Sequence, residues 1–177
     1  MFFSKFPKML YDIDGKGNLK LVTDLLRRVK IRSAVKDGST LFDKYDVQNG
    51  ETPESLAYKI YGDAKYHYVI LILNNITDRY YGWPLSDYSF EVYVKSKYSN
   101  PGTAHHYEIT QSSGRTTSNG PNDYSHRIEV NSDMAGAEAV TNYEYENRLQ
   151  SEKRQIKLLD PAYLPAFEEE FNKLING

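Results

Sequence analysis

The stretch YDVQNGETPESLAYKIYG, Tyr45 to Gly62, constrains the fold more than any other part of this chain. Asn49-Gly50 follows an alternating, strand-like run and is a strong turn signal. Thr52 is placed as an N-cap, Pro53 takes the first helical position, and Glu54 suits the positive end of a helix. Leu56, Ala57, Ile60 and Tyr61 share one helical face, and Gly62 is placed to close the helix in a left-handed cap. The spacing therefore predicts a strand over Leu41 to Val47, a tight turn and a helix. The next segment, GDAKYHYVILILNNI over Gly62 to Ile76, predicts a second helix of about eleven residues capped by Asp63. It is apolar almost all round, so it belongs in the core.

The flanking segments add a β arm, a hairpin and further helices. FPKMLYDI and LKLVTDLLRRVKIRSAV flank the turn DGKGN and predict an N-terminal hairpin. In RRVKIR, strand alternation puts Arg28, Lys30 and Arg32 on one face and Val29 and Ile31 on the other. Such a basic edge guards an exposed strand, or meets an acidic surface or a nucleic-acid backbone; the first reading is preferred. Gly82 and Pro84 in TDRYYGWPLSDYSF interrupt regular structure, and Ser86 caps a helix through Tyr98 that Asn100-Pro101-Gly102 ends. HHYEIT and HRIEV alternate like the strands of a second hairpin, joined by the polar QSSGRTTSNGPND, expected to be mobile.

From Asp133 to Arg154 the residues predict one long helix, capped by Asp133 and carrying a Glu144–Arg148 pair at i,i+4. Its apolar content is thin, Val140 with Tyr143 and Tyr145 with Leu149, so bridging to another chain is a natural use. QIKLL, Gln155 to Leu159, predicts a strand. The last segment is an amphipathic helix carrying Phe167, Phe171, Leu174 and Ile175 on one face. The fold class is α+β, in four consecutive segments: a β arm (1–39), a strand-helix-helix domain (40–85), a helix with a hairpin (86–132) and a helical C-terminal region (133–177).

Composition narrows the function. A formal net charge of −2 and a pI near 6.1 argue against coating nucleic acid or an anionic membrane. Without cysteine there is no disulfide framework, thiolate nucleophile or cysteine zinc site. The longest apolar run is YVILIL, far short of a membrane span, and the N-terminus does not read as a secretory signal, so a soluble cytoplasmic product is expected. No serine sits in a nucleophile elbow and no histidine metalloprotease motif occurs.

Of the four histidines, His67 reads as a packing residue of the buried helix. His105 and His106 alternate to opposite strand faces. His106, Glu108 and His126 converge across the second hairpin as a metal candidate, although their spacing fits no defined pattern. No catalytic residue, cofactor or metal is predicted, and the chain does not read as an enzyme. Sixteen tyrosines point instead to contact surfaces. Tyr80, Tyr81 and Trp83, with Asn74, Asn75 and Asp78, also supply the rings and polar groups of a sugar site.

Two resemblances emerge. Tyr45, Val47, Gly50, Glu51, Thr52, Leu56, Ala57, Tyr61, Asn74 and Ile76 resemble the strand, turn, helix, helix pattern of LysM modules. That resemblance implies a glycan groove at Gly50, Glu51 and Thr52 and at Asn74 and Asn75. The chain departs from it where a LysM module forms its second strand, running instead through TDRYYGWPLS into a helix. The longer stretch IYGDAKYHYVILILNNITDRYYGWPLS resembles the central signature of the LysM-like baseplate wedge subunit of contractile-tailed, T-even-like bacteriophages. NYEYENRLQSEKRQIKLL and the terminal helix are similar to that family's tail.

The second resemblance implies a structural protein of the virion tail baseplate, assembled in the host cytoplasm. It implies joining of wedge complexes and closure of six wedges into a ring around the hub. It also implies no catalysis or cofactor. The expected partners are other wedge proteins, with sheath-initiator and hub proteins as further neighbours; no nucleic acid or membrane is expected, and a glycan is disfavoured. The expected contact residues are Arg28, Lys30 and Arg32; Tyr80, Tyr81 and Trp83; and Tyr143, Tyr145, Arg148 and Leu149. The alternative is a peptidoglycan-binding LysM module of a tail or cell-wall machine.

Overall fold

The computed structural model describes residues 5–30, 41–111 and 126–176, with the backbone of 114–115 and 122–123. In chain order the elements are β1 (Lys8–Asp12), β2 (Leu19–Thr23), β3 (Phe42–Asp46), α1 (Pro53–Tyr61), α2 (His67–Leu73), α3 (Arg79–Gly82), α4 (Asp87–Lys97) and β4 (Ala104–Gln111). Then follow the short strands β5 (Gly114–Arg115) and β6 (Asn122–Asp123), β7 (His126–Val130), β8 (Glu138–Thr141), α5 (Asn142–Arg154), β9 (Gln155–Leu159) and α6 (Leu164–Asn176). The fold is α+β, as the sequence implies. By contacts the chain forms two compact units, one of residues 1–84 with 153–177 and one of residues 85–152.

In the first unit, the opening stretch folds as its residues dictate. Thr52 accepts the Ser55 amide, and the Ser55 hydroxyl accepts the Thr52 amide, a reciprocal cap on α1. Gly62 ends the helix at φ +76, its amide donating to Tyr58. The second helix is shorter than predicted. Asp63 caps a three-residue 3-10 turn, Ala64–Tyr66, before the seven residues of α2.

The strand partner of β3 comes from far along the chain. β9 pairs with it antiparallel, Tyr45 opposite Ile156, and bonds from Val47 to Arg154 and from Asp160 to Leu41 lengthen the ladder at both ends. The predicted QIKLL strand therefore completes the sheet that RYYGWPLS leaves open.

The other edge of β9 is covered by side chains. Asn74 donates to the Lys157 carbonyl and accepts the Lys157 amide, both at 2.8 Å. The Tyr61 hydroxyl does the same for Leu159, both at 3.1 Å. The last residue of α1 and the residue that caps α2 thus stand in for a third strand and satisfy an exposed edge. One apolar cluster packs Val47, Leu56, Ala57, Ile70, Trp83, Ile156 and Leu158. The other joins Tyr68, Val69, Leu73, Leu159, Leu164, Phe171 and Ile175, with Phe6 and Val29 of the N-terminal arm against it.

The arm corrects one expectation. β2 ends at Thr23, and residues 27–30 have no regular structure. The Asp24 carboxylate accepts the Leu26 amide and pairs with Arg27, a local turn that stops the strand. Arg28 and Lys30 are nevertheless exposed with Val29 turned inward. Arg32 lies outside the described residues.

In the second unit Ser86 caps α4 as expected. β4 pairs with β7 on one side and β8 on the other. The predicted hairpin is present, and within its joining segment the backbone of β5 and β6 also pairs. Gln111, the first residue of that segment, ends β4, and the rest of the expected mobile loop lies outside the described residues. The long helix predicted from Asp133 begins only at Asn142, because Glu138–Thr141 is strand β8. Gly136, at φ +82, turns the chain, and Thr141 with Glu144 forms a capping box that starts the helix at Asn142. Glu144 is thereby turned to Thr141, while Arg148 bonds Glu108.

The histidine readings change too. A register irregularity between Ala104 and His106 brings the Nδ1 atoms of His105 and His106 to 2.9 Å instead of sending them to opposite faces. His126 stands opposite Gln111, five residues along β4 from His106, so the proposed metal trio does not converge. Among the described residues no group of three or more such ligands forms.

Candidate protein-binding surfaces

The positions of the implied glycan groove have tasks within the first unit. Gly50 makes the turn at φ +78. The Glu51 carboxylate accepts the Tyr45 hydroxyl at 3.0 Å, the Gln48 amide at 2.9 Å and the Lys59 ammonium at 3.0 Å. Burial would raise its pKa, but these bonds outweigh burial and hold the carboxyl below its ordinary range. Thr52 caps α1, and Asn74 is bound to β9. Asn75, at φ +56, is exposed.

Beside Asn75 runs a groove of about 490 Å³ that the sequence did not announce. Phe6, Leu25, Leu26, Leu71, Ile72 and Phe171 supply apolar walls, with Arg27 and Arg28 at the margin. Leu26 is 91% exposed. Arg27 is held in place, donating to the Ile175 carbonyl at 3.1 Å and pairing with Asp24. The signal for the groove lay in Leu25-Leu26, two adjacent large apolar residues beside Asp24, which ends the strand.

The YYGW segment divides by direction. Asp78 accepts the amides of Tyr80 and Tyr81 and starts the short helix α3, while Arg79 pairs with Glu54 of α1 at 2.6 Å. Tyr80 and Tyr81 project outward, 83% and 78% exposed. Trp83 turns inward to the core, and its indole N–H donates to the Glu51 carbonyl at 2.8 Å. Tyr58, one turn beyond Glu54 on α1, is also exposed.

In the second unit, α5 buries a polar stripe, Asn142, Glu146 and Gln150, at i, i+4 and i+8. Glu146 accepts Lys97 at 2.6 Å and the Tyr98 hydroxyl at 2.8 Å. Gln150 accepts the Leu85 amide, and Asn142 donates to Thr103. An apolar-periodicity search passes over such a stripe. The residues singled out on this helix lie on other faces. Tyr143 donates to Glu91 and packs on Phe90, and Tyr145 stacks on His105 at 3.9 Å. Arg148 reaches both Glu108 oxygens at 2.9 and 2.8 Å, and Leu149 is half-buried.

These surfaces offer apolar side chains, phenols and cations, the groups that make protein contacts. No described helix is long and apolar enough to cross a membrane. Residues 1–119 of the 177 match the family model for base plate wedge protein 53. No curated protein matches the chain.

Proposed function

Because this chain belongs to the base plate wedge protein 53 family, and so to the base plate of a phage tail, we propose that it joins wedge subunits and helps close the six-wedge ring around the hub. It does so by burying surface against its neighbours. The apolar groove edged by Arg28 carries this reading, since Leu25 and Leu26 stay exposed at its rim in the isolated subunit. Tyr80 and Tyr81 form a second contact surface, with the large, rigid area that favours binding hot spots. The exposed Tyr143 and Arg148, with the half-buried Tyr145 and Leu149 beside them, form a third. Sheath-initiator and hub proteins are further neighbours in this proposal, and no catalysis is involved.

The strand-helix-helix order of β3, α1 and α2, closed by β9, supports a LysM-like framework for the subunit. The engagement of Glu51, Thr52 and Asn74 within that framework favours a scaffold over a sugar groove.

The test is replacement of Arg28, Lys30 and Arg32 together by glutamate. Ring closure, scored by electron microscopy of assembled base plates, should fail while the isolated subunit keeps its melting temperature. Normal rings would end the assignment of this surface. Saturable binding to purified peptidoglycan, lost on changing residues 50–52, would favour the glycan-binding alternative instead.

A further inference from the structure

The N-terminal hairpin has a well-made turn, yet it leaves much of its apolar surface in water. Asp12 accepts the amides of Asp14, Lys16 and Gly17 at 3.1, 3.3 and 2.6 Å, and Gly15 and Gly17 take the positive φ angles the turn requires. The two strands pair in register from Lys8–Thr23 to Asp12–Leu19. Strand alternation places Leu10, Leu19 and Leu21 on one face and Met9, Tyr11 and Val22 on the other. The three leucines are 61 to 63% exposed, and Met9 and Tyr11 are exposed behind them.

A two-stranded ribbon is marginal alone in water, so this one has reason to be covered. Its root is fixed. The Asp24 amide donates to the Pro7 carbonyl, Lys5 pairs with Glu168 and bonds Tyr68, and Arg27 bonds the end of α6.

We propose that β1 and β2 form a docking arm that inserts between elements of another base plate protein, into an apolar cleft with carboxylates at its rim. Two features choose this occupant over a second copy of the chain. Edge-to-edge pairing of two hairpins would leave both apolar faces wet, and face-to-face packing would cover only one. Lys8 and Lys20, on opposite faces, and Lys16 in the turn form ion pairs with no described residue; they outnumber the ribbon's carboxylates, Asp14 and the Asp12 that the turn amides engage, so an acidic rim would neutralise the excess. The inference rests on family membership and is independent of the three contact surfaces proposed above.

The test uses the full chain with Leu10→Lys/Leu21→Lys on one face and Met9→Lys/Tyr11→Lys on the other. Each variant is assembled with the other wedge proteins of the same phage, and its incorporation is compared with that of the unaltered chain. The unaltered chain should sediment as a monomer. Both variants should melt like it, and each should incorporate about tenfold less. A photocrosslinker at position 21 of an otherwise unaltered chain should attach to a different base plate protein, and this measurement decides the matter if a variant loses its fold. Full incorporation of either variant, crosslinks only between copies of this chain, or a native dimer that Leu10→Lys/Leu21→Lys dissociates would each overturn the proposal.

Discussion

Asn74 and Lys157, 83 residues apart, are joined like neighbouring strands, the carboxamide of one giving and taking a hydrogen bond with the backbone of the other, both at 2.8 Å. Asn74 also donates to the Ile70 carbonyl at 2.9 Å, which ties the end of α2 to the sheet. Replacing it with leucine keeps the approximate size and removes all three bonds, stripping a partner from the Lys157 amide and carbonyl. The expected loss is about 2 kcal/mol of stability, read as a lower urea midpoint with an unchanged slope.

Tyr61 guards the next position on the same edge, and its hydroxyl must stay protonated to donate to the Leu159 carbonyl. Burial pushes its pKa from 10.0 up to about 12, against a smaller opposing effect of the Leu159 bond. A phenol raised above its unfolded value contributes stability in full below pH 10, and that contribution is lost as pH rises through about 12. Tyr61→Phe should therefore be less stable than the unaltered chain at neutral pH. The gap between the two should close between pH 10 and 12 in unfolding curves taken across that range.

What was legible in the sequence, and what was not, follows from where each signal lives. The cap at Thr52, the left-handed Gly62, the Ser86 cap and the QIKLL strand are local, set by backbone chemistry within a few residues. The pairing of β3 with β9 is not local, so the strand was readable but its partner was not. The Asp133 helix failed because strand β8 is specified by its partner β4, and the Thr141-x-x-Glu144 box that marks the true start went unread. The buried face of α5 escaped for another reason: hydrophobic periodicity cannot find a stripe of Asn142, Glu146 and Gln150. At the contact surfaces, Tyr80 and Tyr81 project as a binding role requires, whereas Trp83 was better read as a core residue pinned to the Glu51 carbonyl.

Glu146 is 2% exposed and is the most buried member of that stripe. Burial works to raise its pKa, but the bonds from Lys97 and Tyr98 prevail and hold it below 4.5. A depressed carboxyl stabilises the fold above its unfolded pKa, and the contribution is lost as pH falls through the lower folded value. Glu146→Gln keeps the shape but loses the charge-assisted bond to Lys97. Because Lys97 is partly exposed and screened, the cost at neutral pH should be about 1 to 2 kcal/mol. Hydrogen exchange of amides in residues 85–152 should report this loss, and the acid sensitivity of those amides should be blunted in the variant.

Gly82 separates the two outward tyrosines from the inward tryptophan, and its lack of a side chain is a packing requirement. A Cβ built there would lie 2.8 Å from the Cγ2 of Ile76, which packs on the cluster containing Trp83. Gly82→Ala should force Ile76 or α3 to shift at a cost of about 1 to 3 kcal/mol. Trp83 is the only tryptophan, so its fluorescence reports the displacement directly. Shortening the neighbour supplies the control. Ile76→Ala removes the atom that the new methyl would strike, so the double variant should lose less stability than the two single losses added together. The expected coupling is about 1 kcal/mol, measured by a double-mutant cycle in urea, and strict additivity would show that the glycine is needed for something other than room beside Ile76.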